Sequence, residues 1–149
     1  MSVRIVAEQG RHLAVTRFEA DLSTMGELMG RAFGTVAGHL ARTGVRPAGP
    51  AMAYYEIRPD GMSVAAGFPV SGPIEGDGTV VPFRLPSREV ITTEHVGPYE
   101  QVPATYEALH VEAEARDRKI DESAMWEEYL AGPDVPPEQM RTVVSWPLE

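Results

Sequence analysis

The hydrophobic and polar positions of this chain follow two periods. Met25, Leu28, Met29, Ala32, Phe33, Val36 and Leu40 recur at spacings of three and four until Gly44 ends the pattern. That spacing predicts a helix from about Met25 to Thr43 that buries one stripe. Thr24-Met25-Gly26-Glu27 ahead of it has the T-x-x-E form of a capping box. Arg11 to Phe18 reads as a strand. Met52–Ile57 and Met62–Phe68 read as a hairpin about the turn Arg58-Pro59-Asp60-Gly61. The first half is therefore strand, helix, hairpin.

The second half has the same order. Val90, Thr92, Glu94 and Val96 alternate with Ile91, Thr93 and His95, as in a half-buried strand over Glu89–Val96. Gly97-Pro98 breaks that strand. Val102, Tyr106, Leu109 and Ala113 then form a helical stripe, with Pro103 tolerable in its first turn. Ala124–Leu130 and Arg141–Leu148 complete a second hairpin across the Pro-rich loop AGPDVPPEQ.

Short strings recur as well. Ala51-Met52 matches Ala124-Met125 at an offset of 73 residues, and Phe68-Pro69-Val70 matches Trp146-Pro147-Leu148 at 78. Order and strings together predict an α+β fold. It is a single domain over residues 1–149 built from duplicated β-α-β-β units with pseudo-twofold symmetry and antiparallel sheets. The copies span about 3–70 and 80–149, with SGPIEGDGT (71–79) as the linker. Each unit covers one sheet face with its own helix and is expected to turn the other toward its twin. A ligand cleft would then lie between the repeats.

Composition limits the chemistry. The chain has 13 basic against 22 acidic residues, a formal charge of -9, and no cysteine. Duplex DNA binding draws on phosphate contacts from Lys and Arg, so direct DNA binding is not expected. Arg116, Arg118 and Lys119 read as cations at the negative end of a helix rather than a phosphate patch. There is no apolar run of membrane-spanning length and no signal-peptide pattern at the N-terminus, which makes the cytoplasm the expected location. His12, His39, His95 and His110 have no ligand spacing, so no metal site and no cofactor are expected. Ser71, Ser87 and Ser123 lack a nucleophile motif.

The stretch AMWEEYL (124–130) carries the chemical question. In a strand, Glu127 and Tyr129 share one face, while Trp126 and Glu128 share the other. An inward carboxylate is expensive unless partnered, either by an internal group such as Arg141 or by a ligand. The offset of 73 makes Tyr54 the equivalent of Glu127 and places Met52 beside Tyr54. The expected lining is thus a carboxylate, two tyrosines and a thioether, which suits a flat, cationic, apolar molecule. Tyr99, Trp146, Phe68 and His95 complete the candidate set.

These residues carry a resemblance. RLPSREVITTEHVGPYEQVPATYEAL and WEEYLAGPDVPPEQMRTVVSWPL resemble the GyrI-like small-molecule-binding domain, the effector-binding domain of multidrug-responsive regulators of the BmrR and Rob type. The motifs are His95-Val96-Gly97-Pro98-Tyr99, Glu127-x-Tyr129 followed by Gly132-Pro133, and Thr142 with Trp146-Pro147. The resemblance implies that Glu127, rather than Glu128, is the pocket acid. Without a helix-turn-helix segment the chain resembles the stand-alone members. It is then expected to bind amphipathic, often cationic aromatic drugs or metabolites, for sequestration or sensing. The alternatives are hydrolysis of reactive cyclopropane-bearing xenobiotics in the same pocket, with Glu127 as the candidate catalytic residue that orients or deprotonates water, or interaction with gyrase or a regulator protein.

Overall fold

The computed structural model describes residues 2–21, 23–131 and 134–149. Its elements are β1 (Arg4–Glu8), β2 (Arg11–Ala20), α1 (Met25–Thr43), β3 (Ala51–Arg58), β4 (Gly61–Val70), β5 (Val81–Leu85), β6 (Arg88–Val96), α2 (Val102–Ala115), β7 (Ala124–Tyr129) and β8 (Arg141–Pro147). The strands form one antiparallel sheet in the order β1-β6-β8-β7-β3-β4-β2-β5. The order is symmetric about the β3–β7 seam when the two halves are exchanged. The first strand of each half is swapped onto the other, β1 onto β6 and β5 onto β2.

Two connections force this sheet to curl. Gln9-Gly10 joins β1 to β2, and Pro86-Ser87 joins β5 to β6, yet each pair stands near opposite ends of the strand order. Only a strongly curved sheet brings those ends within reach of two residues. The inside of the curve packs Leu13, Val15, Met52, Ala65, Leu85, Val90 and Trp126. The units therefore do not meet face to face, as expected from the sequence; they join edge to edge, and the concave face packs on itself. Gly67 marks the tightest approach. A Cβ there would stand 1.8 Å from the Ala14 carbonyl oxygen.

Both helices cover the other face. Met29 and Ala32 of α1 share one core with Val102, Leu109 and Ala113 of α2, against Ala53, Tyr55, Val64, Ile91, Val144 and Trp146. Gly44 ends α1 in the left-handed conformation (φ 71°), and the Val45 N–H returns to the Leu40 carbonyl at 3.0 Å. The expected capping box does not form. Thr24 makes no side-chain cap bond; Asp21 instead accepts the Ser23 and Thr24 N–H groups at 3.0 and 3.1 Å. Arg116 and Arg118 pair with Glu112 and Glu89. No helix among the described residues is long and apolar enough to cross a membrane.

Candidate functional site

Strand alternation and the β3–β7 pairing decide what surrounds Glu127. Its cross-strand partners are Ala53 and Val144, and Tyr54 pairs with Trp126. Cross-strand partners share a face, so Glu127 points to the helix side with Tyr55, Tyr129 and Trp146. From α2, Tyr106 reaches down to the same point. Tyr99 arrives from the single 3-10 turn Tyr99–Gln101 between β6 and α2.

Glu127 is fully buried, at 0% exposure. Its Oε1 accepts the hydroxyls of Tyr99 and Tyr129, each at 2.7 Å, and of Tyr55 at 3.2 Å. Its Oε2 accepts the hydroxyl of Tyr106 in the tightest contact of the group. The Tyr55 and Tyr129 hydroxyls also lie 2.9 Å apart, so one phenol can pass its hydrogen bond through the other. Burial first, and the Glu127 charge second, push all four phenols above the ordinary tyrosine range. They are therefore held as proton donors to the carboxylate.

No cation joins this cage among the described residues. Arg141, the internal partner available in the sequence, instead pairs with Glu94 at 2.8 Å. A buried carboxylate bonded only to phenols has its hydrogen bonds answered but no counter-charge beside it, and electrostatic interactions there are stronger than in water. An outer aromatic layer encloses the cage. Phe33 of α1 lies 5.8 Å from Tyr129, and Trp146 lies 5.9 Å from Tyr106. Two surface concavities flank the domain, about 830 Å³ beside His110 and Glu122 and about 320 Å³ beside Arg11 and Pro69. Neither is lined by Glu127 or its tyrosines.

The sequence-predicted residues divide by face. Glu127, Tyr129 and Tyr99 come together in the cage, and Trp146 backs it. Phe68 stands one ring further out, 6.1 Å from Phe33. Tyr54 and Met52, expected in the lining beside Glu127, do not belong to the cage. Tyr54 stacks on Trp126 at 5.9 Å inside the curve, where Met52 is also buried. His95 shares the helix-side face with Tyr129, both pairing with Thr142, but its ring bonds elsewhere than Glu127. Its Nε2 donates to the Pro98 carbonyl at 3.0 Å, which leaves Nδ1 of the neutral ring to accept the Thr105 hydroxyl at 2.9 Å. Glu128, on the other face, pairs with Arg11 at 3.0 Å. Gly132-Pro133 lies outside the described residues.

The error over Tyr54 is a slip of one residue. The Phe68–Trp146 match carries Gly67 onto Ser145, and their partners are Met52 and Trp126. The hairpin offset is therefore 74, not 73, and Tyr55 corresponds to Tyr129. A slip of one moves every side chain to the other face. Tyr106 was visible in the core-facing stripe of α2, since a buried phenol needs a hydrogen-bond partner.

The comparisons with known proteins agree with this architecture. A family model described as the GyrI-like small molecule binding domain matches residues 1–149. No curated protein matches the chain by sequence. The crystal structure of the EcmrR C-terminal domain is similar with a TM-score of 0.82 at 17% identity, covering 99% of this chain and 97% of that one. SAV2435, solved bound to tetraphenylphosphonium, is similar with a TM-score of 0.72 at 16% identity, covering 100% and 94%. A structure described as a hydrolase from Listeria innocua gives a TM-score of 0.70 at 14% identity, covering 99% and 91%. At these identities the structural likeness is one of fold.

Proposed function

This chain belongs to the GyrI-like small-molecule-binding family, and we propose that it binds amphipathic aromatic cations at the Glu127 cage. The observation that carries this reading is a fully buried carboxylate whose described partners are four phenols and no cation. A permanent cation supplies the missing charge, and the tyrosine and phenylalanine rings supply faces that attract it. A hydrated metal ion or a small ammonium would leave the aromatic layer unused. The tetraphenylphosphonium bound by SAV2435 is a ligand of the proposed kind on the same fold.

The hydrolase alternative needs a water molecule between Glu127 and its substrate. As built, the cage sets phenol oxygens against both carboxylate oxygens, which favours binding. The charge of -9 favours attraction of cations to the whole molecule and disfavours direct contact with DNA.

The test is calorimetric titration with tetraphenylphosphonium and with the neutral triphenylphosphine oxide. Glu127→Gln keeps the shape and removes the charge. It is expected to cost the cation about 1–3 kcal/mol and the neutral compound far less, while Glu128→Gln leaves both nearly unchanged. Equal losses for the two variants would refute the assignment of Glu127.

A further inference from the structure

We propose that Tyr99 is the gate of this site and a built-in competitor for Glu127, so that its phenol sets which ligands gain access. The inference rests on the cage being the ligand site. It starts from the fact that both oxygens of Glu127 are already occupied by phenols. A ligand that reaches the carboxylate must therefore displace at least one of them.

The four tyrosines are not equally displaceable. Tyr55 and Tyr129 stand on β3 and β7 at the centre of the sheet, and Tyr106 stands on α2 packed edge-on to Trp146. Tyr99 alone of the four is carried by a single turn, and its 38% exposure already brings it to solvent. It can swing out by side-chain rotation without breaking a strand or a helix.

The base of that turn is anchored. Gly97 has φ 126°, a conformation open to glycine, and its N–H donates to the Met140 carbonyl at 2.8 Å. His95 Nε2 holds the Pro98 carbonyl, and Thr105 of α2 holds His95 Nδ1. The Gln101 N–H closes the turn onto Pro98 at 3.0 Å. The phenol moves from a fixed pivot and returns to the same place. His95 is thus a positioning residue for the gate.

Selectivity follows from the competition. Any ligand must offer the carboxylate more than the Tyr99 hydroxyl does at 2.7 Å. A fixed positive charge meets that condition; a neutral aromatic does not. The closed cage therefore rejects neutral compounds whose shape alone would suit it.

Two measurements test the gate. Stopped-flow association of tetraphenylphosphonium is followed in wild type, Tyr99→Phe and Tyr55→Phe. Amide hydrogen exchange is measured on ligand-free wild type and Tyr99→Phe. Removing the competing hydroxyl is expected to speed association and tighten binding about tenfold, whereas Tyr55→Phe gives no gain. Without ligand, the amides of residues 99–102 are expected to exchange several-fold faster in Tyr99→Phe, with β3 and β7 unchanged. Equal or weaker cation binding by Tyr99→Phe overturns the gate while leaving Glu127-dependent binding intact. Unchanged exchange across the turn overturns it as well. If wild type shows no Glu127-dependent binding, the proposed function fails and the gate falls with it.

Discussion

Glu127 and Glu128 stand side by side in β7, yet strand alternation sends them to opposite faces of the sheet and to opposite electrostatic settings. Glu128 points into the curve and meets Arg11 at 3.0 Å, and the same guanidinium holds Glu8 at 2.8 Å. Its charge is answered within the chain. Glu127 points to the helix side, loses all contact with water and is answered only by hydroxyls. Through Arg11 the first carboxylate joins a link across β1, β2 and β7, while the other has no cation beside it. The difference teaches where to look for function: the informative acid is the more deeply buried one without a cation.

The alkaline limb of stability gives the largest expected effect, because it strikes the phenols of the cage. Their folded pKa values are raised, mainly by burial and then by the Glu127 charge. Above pH 10 the unfolded chain releases these protons and the folded one does not, so stability is full below about 10 and falls as pH rises. Each of Tyr55, Tyr106 and Tyr129 held neutral removes at most about 1.4 kcal/mol per pH unit over that range, and the more exposed Tyr99 less. Absorbance near 295 nm and circular dichroism, followed together against pH, should show phenolate from Tyr55, Tyr106 and Tyr129 appearing only as the fold is lost. Glu127→Gln should bring the cage tyrosines to lower pH and leave Tyr54 alone, since burial and Glu56 raise that one. Four phenols titrating reversibly near pH 10 in the native protein would break the comparison.

The Glu128 side yields a smaller effect with the opposite distribution. Arg11→Met leaves Glu128 and Glu8 without their shared cation in a half-buried setting, where Arg11 and Glu128 side chains are 32% and 18% exposed. A loss of about 1–2 kcal/mol in urea unfolding is expected, between the range of surface pairs and that of buried ones. Glu128→Gln in the same background should recover part of it. Tetraphenylphosphonium affinity should stay within about twofold. A larger loss of affinity would mean that the two faces are coupled.

The chemistry on these faces was unequally legible in the sequence. Helix α1 was readable to its last residue, because its apolar stripe is long and Gly44 stops it. Six of the eight strands among the described residues were readable as well, since each alternates or is bounded by a turn signal. The two that were not, β1 and β5, are five-residue edge strands, and β5 carries Pro82 and Arg84. Edge strands tolerate such residues, so their pattern is weak. Glu127 was distinguished from Glu128 by family resemblance, while alternation showed only that the two part company. Tyr55 was lost to the one-residue slip in the repeat, because letters align by identity and faces align by register. The curl was not legible at all: it depends on which strands the two-residue connections join, a property of pairing rather than of any local segment.

The smallest expected effect tests that slip directly, through the adjacent residues Tyr54 and Tyr55. Tyr54 stacks on Trp126 and lies 5.1 Å from Phe83, and among the described residues its hydroxyl has no hydrogen-bond partner. Tyr54→Phe keeps both ring contacts, so urea unfolding should change by less than about 0.5 kcal/mol. Tyr55→Phe removes a buried hydroxyl that bonds Glu127 and the Tyr129 hydroxyl, and should cost about 1 kcal/mol. Cation affinity should be untouched in Tyr54→Phe, because that ring faces the inside of the curve. Had the letter-matched offset of 73 been right, the two variants would exchange behaviours, and Tyr54→Phe would weaken the cation. Paired unfolding and titration curves for the two variants therefore report which face of β3 looks at Glu127. A loss of tetraphenylphosphonium affinity in Tyr54→Phe would restore the discarded register and remove Tyr55 from the cage.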